Sequence, residues 1–369
     1  LPIRRNIQKR FTKNQIRYMA FGMSLLTCVL DASVVTFSLF TDKFIKHLHY
    51  NQVDINIISG AMLVGLYLTL PLLGYLADAH GSVLLAIIGI SLTPGYLLAL
   101  CVYENHLNFW FMALAFGLIG VGTSSSYFCS LLTCAKVFPD RKGLGISLPV
   151  TFYGLSSLVL TWVFHLPIFS TEDGQISIQK VFSGLAILYA ISGVINWVSS
   201  VVVSIEKEIV FAKLLDEERA QNQYGSTDTT LSEDGILDAP LVSELSHEEK
   251  FKAFLRDPSM RLMFLALFLL TGPLELYISN LGSITTVLNG GDVGYQLGVF
   301  SLSSTLTRIS MGVLSDRIGT LNGNVNLVLG FGVGLATLGF ALVAYGGVPM
   351  DIISFLIGIA YGAVFTLFP

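Results

Sequence analysis

Apolar residues in this chain come in runs of about 20, the length a helix needs to cross the hydrocarbon core of a bilayer. The runs fall at 18–40, 57–77, 82–103, 109–135, 145–166, 180–203, 260–282, 294–314, 325–345 and 350–369. Short polar stretches separate most of them, and one longer polar stretch separates the sixth from the seventh. The pattern predicts an all-α polytopic membrane protein of about ten helices. The first run is too long for a signal-peptide core and has no small-residue cleavage site after it, so it is expected to be a permanent span.

Composition agrees with the pattern. Of the 369 residues, 53% are hydrophobic and 12% are charged, and the mean hydropathy is +0.70. Soluble domains carry roughly 25% charged residues, so a soluble enzyme is excluded. The 35 glycines suit helices that pack closely without a hydrophobic driving force between them. The four cysteines, Cys28, Cys101, Cys129 and Cys134, lie in or beside apolar runs and show no disulfide or metal spacing. No basic patch suggests nucleic acid. The sequence has no phosphate-binding loop, Gly-x-Ser-x-Gly elbow or His-Glu-x-x-His helix. Neither an enzyme, a cofactor nor a metal is expected, and ATP-driven transport by this chain alone is excluded.

Lys and Arg set the orientation. Arg4, Arg5, Lys9, Arg10, Lys13 and Arg17 precede the first run, and Lys136, Arg141 and Lys142 follow the fourth. Lys207, Lys213, Arg219, Lys250, Lys252 and Arg256 follow the sixth. If every run crosses, all of these share one side, which is therefore cytosolic. The stretch 204–259 is polar and acidic; its middle, Tyr224 to Glu244, is expected to be disordered. Glu206 to Gln221 and Ser246 to Leu255 are expected to form short amphipathic helices under the bundle. The predicted organisation is a cytosolic segment 1–17, an N-terminal bundle 18–203, the linker 204–259 and a C-terminal bundle 260–369.

The chain repeats itself. Gly74-Tyr75-Leu76-Ala77-Asp78-Ala79-His80-Gly81 follows the second run, and Gly312-Val313-Leu314-Ser315-Asp316-Arg317-Ile318-Gly319 follows the eighth. Both fit G-x-L-[AS]-D-x-x-G at an offset of 238 residues, which also carries the first run onto the seventh and the fourth onto the tenth. Two halves of parallel topology follow, six spans each when complete, with the last two of the second half expected beyond residue 369. Gly74, Gly81, Gly312 and Gly319 permit close approach and tight turns. Asp78 and Asp316, with Arg317 beside the second, lie at cytosolic helix ends. They either latch one half against the other or cap the local turn.

This repeated turn resembles the signature loop of the major facilitator superfamily. Lys136 to Leu144, Gly272-Pro273-Leu274-Glu275 through Asn280-Leu281-Gly282, Arg308 to Gly312 and Gly358 to Pro369 sharpen the likeness to its monocarboxylate-transporter-like and nodulin-like branch. Within that branch the chain is similar to the fungal monocarboxylate transporter homologues of the vacuolar membrane. The resemblance implies twelve helices in two six-helix bundles around a central cavity, a monomer working by alternating access. The sequence departs from the family pattern at Ala79, where a basic residue is usual, and at Ser304, where animal relatives carry an acid four residues before the arginine. It also lacks their first-span lysine between Tyr18 and Phe40, so the family label assigns no substrate.

Three ionisable residues lie well inside runs: Asp31, Glu275 and Arg308. Each costs about 2.5–3.5 kcal/mol at the bilayer centre, so each should face the bundle interior or a watery cavity. They are candidates for binding a charged solute or a coupling proton, the alternative being inter-helix pairs. Arg308 suits a carboxylate, which its planar guanidinium grips at two points. Glu275 follows Gly272-Pro273, where the helix should kink. Tyr67, Tyr127 and Asn280 are further candidates. The expected activity is secondary active transport of a small solute, an organic anion by the Arg308 argument, with proton coupling. The alternative is a non-transporting sensor that signals through the linker.

Single-cysteine labelling tests the topology. Cysteines at Ser226 and Asp173 should react from opposite sides of the membrane, and reaction from the same side overturns the orientation.

Overall fold

The computed structural model describes residues 13–137, 142–170, 176–224, 256–320 and 325–367. Within helices, the side chains of 13–14, 142–146, 205–224, 263, 267, 312–329 and 367 are also outside the description. The expectations placed on the basic N-terminal segment before residue 13, on Phe138 to Arg141, on 225–255 and on the side chains of Gly312, Asp316, Arg317 and Gly319 fall outside the described residues.

Every predicted span is helical, and several are broken where the local sequence dictates. The first is α1 (Lys13–Leu30), a 3-10 turn (Ala32–Thr36) and α2 (Ser38–Leu48). Val34, Val35 and Thr36 are β-branched and poor helix formers. The Thr36 hydroxyl donates to the carbonyl of Ser33 at 2.6 Å, which favours the tighter turn.

The second span is α3 (Gln52–Leu63), a π turn (Val64–Leu68) and α4 (Leu70–His80). Pro71 has no N–H to return to the carbonyl four residues back, and the helix widens at that point. Pro94 divides the third into α5 (Ser82–Ser91) and α6 (Gly95–Glu104).

The fourth is α7 (Phe109–Val137), the fifth α8 (Lys142–Phe164) and the sixth α9 (Ile178–Tyr224). α9 runs 47 residues and so carries the Glu206 to Gln221 stretch as a continuation of the sixth span rather than as a separate helix. No Gly or Pro interrupts 204–224, which is rich in Glu, Lys, Ala and Leu.

The seventh span is α10 (Pro258–Ser279) followed by α11 (Leu281–Val287). Helix persists through Gly272-Pro273, and the break comes at Asn280. The remainder are α12 (Val293–Thr320), α13 (Val325–Tyr345) and α14 (Met350–Leu367).

Among the described residues, seven helices are long and apolar enough to cross a membrane, and Gly330–Tyr345 and Met350–Thr366 are shorter apolar helices. α12 is not among them, and its buried Gln296, Ser301, Ser303, Ser304, Thr305 and Arg308 explain why. Its polar face packs on α14 and α8, while Tyr295, Leu302, Leu306 and Ile309 are exposed. Large apolar side chains such as Leu97, Leu114, Ile187 and Phe355 are exposed. Water would penalise that surface, but lipid accommodates it.

Each half has its own core. In the first, Phe37 meets Phe116 edge-on at 5.1 Å and Phe40 meets Phe182 at 5.3 Å. In the second, Tyr277, Phe300, Ile353, Ile357 and Tyr361 cluster. The halves meet along α8 and α12, where Ser157 donates to Ser301 at 2.7 Å and Ser301 donates to the carbonyl of Gly154 at 2.9 Å. They also meet at one end of the bundle. There the Gln52 amide donates to Asn280 at 2.8 Å and accepts from Ser283 at 2.9 Å.

The second and fourth spans are in backbone contact. A Cβ at Gly120 would lie 2.2 Å from the Met62 carbonyl oxygen, whereas one at Gly60 would meet nothing within 4 Å. Gly120→Ala should therefore destabilise the protein by about 1–3 kcal/mol, as overpacking does, and Gly60→Ala should be near neutral. Thermal unfolding in detergent checks this, and equal midpoints for the two variants overturn it.

Candidate functional site

The carboxylate of Glu275 sits in α10 one turn before the Asn280 break and is 8% exposed. Its Oε1 accepts two hydrogen bonds, one from each half. Tyr67, in the π turn of the second span, donates at 2.5 Å, and Tyr361 of α14 donates at 2.8 Å. The π turn positions Tyr67, and the Tyr361 ring is fixed by edge-on packing against Phe300 at 5.2 Å. A cavity opens beside the carboxylate, lined from the first half by Val34, Val35, Met62, Leu66, Tyr67 and Tyr153. Ile278, Ser279 and Tyr361 complete it from the second. The free space is about 10 Å³, of the order of a single water.

Arg308 lies over the Tyr361 ring and is 2% exposed. Its guanidinium carbon is 5.3 Å from the centroid of that ring and 5.9 Å from that of Phe365. One terminal nitrogen donates to the carbonyl of Val150 at 2.5 Å, while Nε is buried with no partner. Gly154 makes the space: a Cβ there would lie 2.9–3.1 Å from the guanidinium atoms. Among the described residues the ion pair found is the exposed Lys46–Asp42 contact at 2.8 Å. Glu275 and Arg308 are not paired with each other and share Tyr361 instead.

Of the sequence candidates, Glu275, Tyr67 and Arg308 come together, and the Tyr127 ring meets that of the cavity-lining Tyr153 at a tilt, with centroids 4.5 Å apart. Asn280 stands apart, in the Gln52 contact. Asp31 lies within the first half. Its two carboxylate oxygens accept from Ser126 of α7 and Ser192 of α9, and Tyr189 donates to its backbone carbonyl. Asn196 extends this network, donating to the Ser126 carbonyl at 2.8 Å. Asp78 is exposed and, among the described residues, makes no hydrogen bond.

Sequence reasoning missed Tyr153, Gly154 and Tyr361. Tyr361 falls in a stretch quoted above only for family likeness, and nothing in the local pattern separates a cavity tyrosine from a core tyrosine. At the end of α2, beyond the first apolar run, His47 stacks on Tyr103 at 4.5 Å and lies 4.4 Å from His106. Partial desolvation, then His106 and His49, push its imidazole below the usual range. Among the described residues no cluster of three or more His, Cys, Asp or Glu is placed to hold a metal.

A carboxylate tied to both halves of a repeated helical bundle, beside a cavity at their seam, is transporter architecture. The family model described as Major Facilitator Superfamily matches residues 21–369. The chain belongs to the major facilitator superfamily.

A relative from Wickerhamomyces anomalus named Probable transporter MCH1 is 39% identical over 379 residues, covering 100% of this chain and 75% of the relative. The Saccharomyces cerevisiae protein of that name is 32% identical over 386 residues, covering 95% and 76%. A crystal structure of the nucleoside transporter NupG shares the fold, with a TM-score of 0.56 at 17% identity, covering 96% of this chain and 80% of that one. This superfamily member is a multi-pass membrane transporter, and the sensor alternative finds no support among its relatives.

The Asp31 network generates a stability test. Asp31→Ala leaves Ser126 and Ser192 without their acceptor and should cost about 1–3 kcal/mol. Asp31→Asn keeps one acceptor oxygen and should cost less. Unfolding midpoints in detergent measure both, and an unaffected Asp31→Ala overturns the assignment of these bonds.

Proposed function

We propose that this chain is a secondary active transporter: a small solute enters the cavity between the two halves, and the halves rock about it to open each side in turn. The observation that carries this reading is Glu275, whose one oxygen takes a hydrogen bond from Tyr67 of the first half and from Tyr361 of the second. Any rocking of the halves must break or remake one of those bonds. The state of the carboxylate and the state of the bundle are thereby linked. A proton that arrives on Glu275 changes both bonds, which makes this residue the coupling site.

The unpartnered Nε of Arg308 supports an anionic group on the solute, because a buried guanidinium donor gains a charge-assisted bond from a carboxylate. Asp31 serves the packing of the first, fourth and sixth spans. Asp78 and Asp316 remain the proposed latch residues at the cytosolic ends. The protein works as a monomer in the vacuolar membrane, a location that rests on the likeness to the fungal monocarboxylate transporter homologues.

Reconstitution in vesicles tests the proposal. Glu275→Gln should abolish accumulation driven by a pH gradient. Arg308→Lys should impair binding although charge is kept, since lysine lacks the planar two-bond fork. Gradient-driven uptake at the unsubstituted rate in Glu275→Gln, at equal protein abundance, would falsify the coupling role.

A further inference from the structure

The cavity at the seam has a definite chemical character. Glu275 is the charged residue that lines it, and Tyr67, Tyr153 and Tyr361 turn aromatic rings or phenols toward it. The Arg308 guanidinium is not part of the lining: it sits over the Tyr361 ring, held by the Val150 carbonyl. An anionic group placed in this space would lie against a carboxylate, with the nearest described cation outside the lining. A cationic group would lie against a carboxylate among tyrosine side chains, a combination that favours ammonium ions.

We propose that this cavity is a subsite for an ammonium group, so that the transported solute carries a protonated amine which binds at Glu275 among Tyr67, Tyr153 and Tyr361. The inference rests on the transporter reading and narrows its substrate. Combined with an anionic group at Arg308, it makes the solute amphoteric, with charges of opposite sign near Tyr361.

Size and wall chemistry agree. The free space, about 10 Å³, suits a group about as large as a water molecule, which is the size of an ammonium head. Val34, Val35, Met62, Leu63, Leu66 and Ile278 form the apolar part of its lining. The Tyr153 hydroxyl is buried and has no hydrogen-bond partner. A phenol oxygen accepts as well as donates, so it offers an ammonium N–H an acceptor. Both bonds to Glu275 fall on Oε1, and neither involves Tyr153.

The carboxylate can hold a proton or attract an ammonium group, but protonation removes the charge that attracts. Proton and amine therefore compete, and amine binding should weaken as pH falls. The groups around Glu275 are Tyr67 from the second span, Tyr153 from the fifth, Arg308 from the eighth and Tyr361 from the tenth, while the first span brings only Val34 and Val35. None of these partners titrates between pH 5 and 8 on its ordinary value, so the pH dependence reports on Glu275.

The test is binding by thermal shift on the full-length protein in detergent, with methylammonium chloride as probe, sodium chloride at equal ionic strength as baseline and sodium acetate as the anionic comparison. Saturable stabilisation by methylammonium is expected, with an apparent dissociation constant that rises about tenfold per pH unit below the Glu275 titration. Glu275→Gln should abolish the response. Tyr153→Phe keeps the ring and should retain most of it, while Tyr153→Leu should lose it, which keeps the test open should Glu275→Gln fold poorly.

A methylammonium response no larger than that to sodium chloride overturns the proposal, as does one unchanged in Glu275→Gln or in Tyr153→Leu. A response to acetate alone overturns it in favour of a purely anionic solute. Solute flux in vesicles without methylammonium binding leaves the transporter reading intact and removes the ammonium subsite. Methylammonium binding without any flux does the reverse.

Discussion

One oxygen atom of Glu275 ties the two halves of the bundle at the level of the cavity. A carboxylate inside a membrane protein is stable only when its hydrogen-bonding capacity is met. Here the donors come from helices that belong to opposite halves, Tyr67 and Tyr361. The cost of burying the charge is therefore offset by the relative placement of the halves. Neither half alone provides that compensation.

Around this point the interface is polar but lightly bonded. α8 and α12 touch through Ser157, Ser301 and the Gly154 carbonyl, and through the Arg308 guanidinium on the Val150 carbonyl, with no ion pair between them among the described residues. The neutral bonds are individually modest, about 0.5–1.5 kcal/mol each. The amide of Gln52 at the end of the bundle is of the same kind. Alternating movement needs contacts that hold in each state and release without a large penalty, and these contacts meet that requirement. Inside the first half the opposite holds: Asp31, Ser126, Ser192 and Asn196 form a closed network that favours a rigid unit.

The number and placement of the spans were legible because a bilayer imposes a length and an apolar character that few other constraints mimic. The parallel halves were legible because the Asp78 and Asp316 turns repeat at a fixed offset. The charged part of the site was legible for the same physical reason: Glu275 and Arg308 are expensive where they lie, and expense marks a role. Tyr153, Tyr361 and Gly154 carry no such mark. A tyrosine in an apolar run is ordinary, and a glycine in a chain with 35 of them is more so. Their significance arises only when the fifth and tenth spans meet the eighth. At Pro273 the helix runs on, and the break in the span comes at Asn280: a proline removes one hydrogen bond without having to end the helix.

The missing side chain at Gly154 has a bearing on how this protein can change over generations. The atoms that a methyl group would strike there belong to the end of the Arg308 side chain, not to any backbone. A substitution at 154 therefore leaves both helices where they are and evicts the guanidinium from its seat under the Val150 carbonyl. Position 154 thus acts as a dial on the location of a charge it does not itself carry. If Arg308 holds an anionic group of the solute as proposed, lineages that drift at this position alter which solutes the protein accepts while every ionisable residue in its interior stays the same.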